Sequence, residues 1–195
     1  VQIIDSYQLT YSAVDASGNA AQTVVRTVIV ADTIAPEISL NGAALVSHPV
    51  GVDYNDLGAV ATDSFEGTTT VIAVGEVDVD TLGDYVLTYN YSDSSGNAAA
   101  QVTRTVSVVD SAAPIITLNG SDPLQHEAGT TFLDPGAVSN DAQDGSKDLT
   151  GTGSVEASVL GTYVLTYEDT DSSGNAAIAV TREVNVVDTI APIIS

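Results

Sequence analysis

The stretch Leu160-Gly161-Thr162-Tyr163-Val164-Leu165-Thr166-Tyr167 recurs in this chain as Leu82-Gly83-Asp84-Tyr85-Val86-Leu87-Thr88-Tyr89, and once more, shortened, as Tyr7-Gln8-Leu9-Thr10-Tyr11. β-Branched and aromatic residues alternate along it with neighbours of the opposite face, which is the pattern of a half-buried strand. The likeness extends outward in both directions. Residues 33–110 superpose on residues 111–188 without a gap, placing Pro36 on Pro114, His48 on His126, Asp63 on Asp141, Arg104 on Arg182 and Asp110 on Asp188. Roughly half of the aligned positions are identical. A fixed period of this size means repeated structural units, so function is sought in the array.

In the last full repeat, short alternating segments are separated by Gly, Asn, Asp and Pro. They predict strands near 115–119, 124–127 and 136–140, an acidic loop over 141–148, a weaker strand near 152–157, a strong one over 162–169 and a long last one over 177–187. Tyr163 stands near the start of the strong strand, two residues before Leu165. This is the spacing of a tyrosine corner, in which the Tyr hydroxyl bonds back to the chain and the second position carries Cys in antibody domains. The expected fold is therefore all-β: tandem immunoglobulin-like β-sandwich domains placed end to end, with Leu87 and Leu165 where the disulfide would be. Asp171-Ser172-Ser173-Gly174-Asn175-Ala176, with its equivalents from Asp93 and Asp15, reads as a hairpin turn whose Gly takes a left-handed conformation.

The repeats divide the chain into 1–32, the C-terminal half of a repeat (an F–G hairpin); 33–110 and 111–188, two full repeats; and 189–195, the start of another. Each last strand runs into a short linker ended by proline, Asp32–Pro36, Asp110–Pro114 and Asp188–Pro192. Proline fixes its own φ and restricts its predecessor, which predicts semi-rigid junctions. An isolated hairpin is marginal in water. The half repeats are expected to be completed by a parent chain continuing on both sides, the alternative being strand addition from another subunit in a self-assembling fibre. The lack of any methionine, initiator included, points to the former.

The 26 acidic residues outnumber four basic ones for a formal net charge of −22. Such a surface repels nucleic acid and anionic membranes, whose binding needs Lys and Arg, and attracts cations. With 44% hydrophobic residues the chain is nonetheless a folded one. Without cysteine there is no disulfide, thiolate metal site or thiol nucleophile. No apolar run is long enough to cross a membrane as a helix, and no signal peptide opens the chain.

Ala113-Pro114, Leu118-Asn119-Gly120, Asp134-Pro135-Gly136-Ala137, Asp141, Asp144-Gly145, the Tyr163 to Asn175 stretch, Thr181-Arg182 and Asp188 together resemble the bacterial surface-protein immunoglobulin-like repeats. The repeat before departs from that pattern at Leu57, for Pro, and at Glu66, for the second loop Asp. The resemblance covers essentially the whole chain. It implies extracellular tandem modules of adhesins, stalks and secreted multidomain proteins at the bacterial cell surface. It says little about a ligand, because one sandwich hosts many functions.

The three arginines, Arg26, Arg104 and Arg182, share one repeat position. Alternation puts Arg104 on the side of Val102, Val106 and Val108, so its stem should pack inside while the guanidinium emerges at the sandwich edge beside a carboxylate. In an immunoglobulin-like topology the linker, the B–C loop and the F–G turn lie at one end. That brings together Asp110, Asp141, Asp144 and Asp171 in one repeat and Asp32, Asp63, Glu66 and Asp93 in the other. Converging carboxylates need a cation or protons, and hard oxygen ligands suit Ca²⁺. The expectation is a Ca²⁺ at each junction. The alternative is that these residues only cap turns and end strands.

His48 and His126 occupy one repeat position and read as strand-edge residues. No catalytic spacing, phosphate loop or cofactor motif recurs, and identical copies in series suit a spacer better than an enzyme. The chain is read as a non-enzymatic extracellular stalk or filament of stacked repeats, stiffened by Ca²⁺ and supporting adhesion. Its partners would be neighbouring repeats and, in a fibre, other copies. Two alternatives are an adhesin module for a glycan or protein, for which Phe65 and Tyr91 offer the available aromatics, and an accessory array of a secreted hydrolase.

Overall fold

The computed structural model describes residues 3–193, all strand, turn and loop with no helix. The chain divides between Val108 and Val109 into two compact units. The first holds the hairpin of β1 (Asp5–Tyr11) and β2 (Val24–Val30), then β3 (Glu37–Leu40), β4 (Leu45–Pro49), β5 (Ala59–Asp63), β6 (Gly67–Val71), β7 (Gly83–Tyr89) and most of β8 (Val102–Val109). The second holds β9 (Ile115–Leu118), β10 (Leu124–Glu127), β11 (Ala137–Asp141), β12 (Gly145–Leu149), β13 (Gly161–Tyr167) and β14 (Val180–Val187). Residues 189–193 form no strand, and the last two positions of the expected following repeat, like residues 1–2 of the first hairpin, lie outside the described residues.

Each full repeat is two three-stranded sheets. One is ordered β12-β11-β9 and the other β10-β14-β13, with β10 parallel to β14 and the other pairs antiparallel. Sheets β3-β5-β6 and β4-β8-β7 repeat the arrangement. Alternation decides what each strand buries: along β13, Leu165 and Tyr167 face inward, and along β14 Arg182, Val184 and Val186 do. Leu165, Tyr167 and Val184 meet Ile116 and Ala137 of the facing sheet in one core, and Leu87, Tyr89, Val106, Ile38 and Ala59 make its counterpart. Two layers closing on one apolar interior are what a sandwich requires.

The corner tyrosines behave as their spacing predicts. Tyr163 donates its hydroxyl to the Val159 carbonyl at 3.0 Å, Tyr85 to Thr81 at 2.9 Å and Tyr7 to Ile3 at 3.3 Å.

Three expectations change. The acidic stretch 141–148 is a tight turn followed by β12, and since β11 and β12 pair in one sheet with Asp141 opposite Gly145, it is a hairpin rather than a B–C crossing between sheets. The segment 152–157 contributes only the single bridge Thr152 to Thr166. Finally, the guanidinium groups do not emerge at an edge. Arg104 and Arg182 are 1% and 0% exposed. Arg182 Nη1 donates to Asp134 Oδ1 at 2.9 Å and to the Tyr167 hydroxyl at 3.1 Å, while Nη2 reaches the Asn119 and Gly136 carbonyls. Arg104 makes the same set with Asp56, Tyr89, Asn41 and Gly58. A charge is tolerated at such depth only when paired and hydrogen-bonded, and the carboxylate together with the backbone carbonyls around each guanidinium supplies that.

Candidate metal centre

The turn after β13 is built by Asp171. Its Oδ1 accepts from the Asn175 backbone N–H at 2.7 Å and its Oδ2 from the Asn175 side-chain amide at 2.7 Å, with Gly174 at φ +92° closing the loop. The turn after β11 is built the same way, Asp141 Oδ1 accepting from the N–H of Gln143 at 2.7 Å and of Asp144 at 3.0 Å. Asp110 Oδ1 takes the Ala112 N–H at 3.0 Å. Asp110 and Asp141 therefore each spend one oxygen on their own loop, while Asp171 has both oxygens held by Asn175. Asn175 Nδ2 also donates to the Asp110 carbonyl at 3.3 Å, tying linker to turn.

These local choices bring Asp110, Asp141 and Asp171 together with one carboxylate oxygen of each within 4.8 Å of the others, and Asp32, Asp63 and Asp93 likewise. Asp110, Asp141, Asp63 and Asp93 are 7%, 7%, 6% and 6% exposed. Oδ2 of Asp110, Asp63 and Asp32 is buried without a hydrogen-bond partner. Burial alone would raise the Asp93 and Asp171 carboxyls, but the Asn97 and Asn175 side-chain and backbone donors outweigh it and hold both below the ordinary carboxylate value. Both therefore stay ionised beside two further carboxylates. Three carboxylates gathered around one point, with Oδ2 of Asp110 in one triad and of Asp32 and Asp63 in the other left without a partner, offer the hard oxygens that Ca²⁺ takes.

Of the eight residues expected in such sites, six meet and two stand apart. Glu66 Oε1 accepts from the Ser94 N–H at 2.8 Å and from its hydroxyl. Asp144 accepts from the Ser172 N–H at 2.6 Å and its hydroxyl at 2.7 Å. They link the β-hairpin turn to the turn after β13 (or β7) and brace the cluster from outside. Asn97 and Asn175 escaped the sequence reading, although the Gly-Asn pair in each turn carried the signal. His48 and His126 hold the turns that follow β4 and β10, Nε2 lying 2.8 Å from the Val52 carbonyl and 3.2 Å from that of Thr130. Phe65 is 40% exposed, whereas Tyr91 packs against its core.

Two sandwich modules of one sequence pattern, each with a carboxylate triad where the linker meets its turns, define a tandem immunoglobulin-like protein. The family model described as a bacterial surface protein, Ig-like domain, matches residues 38–108 and 116–186, and the chain belongs to that family. It is 30% identical over 198 residues to hyalin of Lytechinus variegatus, covering 92% of this chain and 36% of that protein, and 31% identical over 204 residues to hyalin of Strongylocentrotus purpuratus, covering 96% and 17%. An uncharacterized 81.3 kDa protein of Acholeplasma phage L2 is 32% identical over 60% of this chain and 17% of its own length. The chain thus spans about a third or less of these relatives. A lipoprotein from Bacteroides thetaiotaomicron is similar at a TM-score of 0.33 and 17% identity, over 67% of this chain and 92% of that one.

Proposed function

We propose that this chain is part of an extracellular spacer at a cell surface, a stalk or filament of stacked repeats, and that each full repeat binds Ca²⁺ at its aspartate triad. The family of surface modules and the hyalin relatives support the location. No helix among the described residues is long and apolar enough to cross a membrane. The observation that carries the metal is the buried, unpartnered Oδ2 of Asp110 and Asp63, each facing two further carboxylates. A cation there would bind the segment by which the chain enters a repeat to two turns of that same repeat. Entry segments then stiffen when metal is present, and array length sets how far a tip domain is held from the cell.

Thermal unfolding of the whole chain in Ca²⁺ and in chelator tests this. A ligand that binds only the folded form stabilises it, by about 2.7 kcal/mol at a hundredfold excess over Kd. A higher midpoint in Ca²⁺ is expected, and an unchanged midpoint would remove the metal while leaving the spacer.

A further inference from the structure

We propose, resting on the metal reading above, that repeat 111–188 binds a neutral hexose through the cation at its triad and a polar pocket whose hydroxyl, ammonium and carboxylate repeat 33–110 lacks at the equivalent positions. A cavity of about 270 Å³ opens beside the triad, and both Asp141 and Asp171 line it. Ser139, Lys147, Asp169 and Asp144 complete its polar wall. Lys147 Nζ lies 2.5 Å from Asp169 Oδ1. Ser139 is 2% exposed and its hydroxyl has no hydrogen-bond partner. A buried hydroxyl left open on a cavity wall is a group awaiting a partner.

The equivalent positions in the other repeat are Ala61, Thr69 and Tyr91. Tyr91 there packs against the core. Three neighbouring positions have thus exchanged apolar or small side chains for a hydroxyl, an ammonium and a carboxylate around one recess. This concentration is not needed for the fold, which the other repeat attains without it.

The chemistry of the walls selects the occupant. An anion is repelled by the carboxylates of Asp141, Asp144, Asp169 and Asp171. A second metal would have to displace the ammonium already seated on Asp169. An apolar ligand would leave the Ser139 hydroxyl unpaired. A neutral polyol meets every requirement: its hydroxyls donate to Asp144 and Asp169 and accept from Ser139 and Lys147. Ca²⁺ takes about six to eight oxygens, so three aspartates leave positions that a vicinal pair of hydroxyls can fill from the cavity side. The space suits one sugar ring, with the chain of a glycan continuing into solvent. With Asp169 in place of an aromatic residue, recognition works by coordination and hydrogen bonding rather than stacking.

The test is an amide NMR titration of the whole chain, first with Ca²⁺ and then with methyl α-mannoside, β-galactoside and α-fucoside. Calcium should shift the amides around both triads. At least one glycoside should then shift those of Ser139, Lys147 and residues 169–172, saturably in the millimolar range, and the effect should vanish in chelator. The variant Ser139→Ala, Lys147→Thr, Asp169→Tyr, which installs the residues of the other repeat, should keep its calcium shifts and lose the glycoside response. Calcium binding without any glycoside response in the wild-type chain overturns the pocket alone. Glycoside binding that persists in chelator or in the triple variant overturns the proposed mode, and absence of calcium shifts overturns the metal reading and the pocket with it.

Discussion

Arg182 and Asp134, far apart in sequence, form an ion pair of 2.9 Å in which the arginine has no solvent exposure and the aspartate side chain little. The guanidinium also lies 5.5 Å from the centre of the Tyr167 ring, whose hydroxyl donates to the same carboxylate at 2.6 Å. One acidic residue thus ties β13 and β14 to the N–H groups of Gly136, just before β11, and Gly151, just after β12. Removing it leaves a buried cation unpaired, which costs about 3–5 kcal/mol. Urea unfolding of Asp134→Ala should show an early transition for the second unit. Replacing both partners, Asp134→Leu with Arg182→Met, should cost much less, because no charge is then stranded.

The same contact predicts an alkaline signature. Burial first, then the hydrogen bond to Asp56 or Asp134, pushes the hydroxyls of Tyr89 and Tyr167 from 10.0 up to about 12. A group whose pKa rises on folding stabilises the fold fully below its unfolded value and gives that stability up as pH climbs toward the folded one. Absorbance titration should show two tyrosines that ionise only near pH 12. Stability should decline between pH 10 and about 12.

At the acid end the sign reverses. Burial raises Asp56 and Asp134, but the Tyr89 and Tyr167 hydroxyls, with Arg104, Arg182 and backbone N–H groups, outweigh it and hold both below 3.8. A carboxyl depressed on folding contributes stability above its unfolded value, and that stability is lost as pH falls through the folded value. In chelator, the melting temperature should stay level down to about pH 4 and fall below it. A midpoint that rises on acidification below pH 4 would contradict this balance.

The sheet architecture was legible because its signals are local: the Tyr163 spacing, the Gly-Asn turns and strand alternation each constrain a few neighbouring residues. Alternation even placed Arg104 on the buried face. The partner that lets a guanidinium stay there, Asp56, belongs to a loop between β4 and β5, and nothing in one sequence pairs that loop with β8. Depth was misjudged for the same reason. The triads were legible as three loops meeting at one end. The separation of Glu66 and Asp144 from them was not, since their serine partners sit on a different turn and the length of the side chains hides which neighbour they choose.

Asn175 holds the triad's geometry without contributing an oxygen to it. Its amide fixes the Asp171 carboxylate at 2.7 Å and the Asp110 carbonyl at 3.3 Å, so Asn175→Ala releases turn and linker together while the backbone N–H bond to Asp171 Oδ1 survives. Groups that orient metal ligands are typically worth about 10–100-fold in affinity. Calcium titration by calorimetry should show one weakened site in Asn175→Ala, the one in repeat 111–188, and the other site weakened in Asn97→Ala.

Gly151 and Ala73 are equivalent positions, and the difference between them reshapes a repeat. Gly151 donates its N–H to Asp134 Oδ2 at 2.9 Å, and a Cβ there would stand 2.9 Å from Leu165 Cβ and 3.0 Å from Tyr167 Cζ. Those atoms belong to the core and cannot yield as a flexible side-chain end would. The other repeat carries the methyl group, Asp56 has no bond from Ala73, and a cavity of about 450 Å³ lies there, lined by Asp56, Val71, Ala73 and Leu87 among others. Gly151→Ala should therefore force the segment off Asp134 and destabilise its repeat by about 1–3 kcal/mol, the usual cost of overpacking. Ala73→Gly lacks that clash and should change stability by less, about 1 kcal/mol or under from added backbone freedom. Denaturant unfolding of the two variants side by side checks the asymmetry, and equal losses would mean that the glycine serves no close approach.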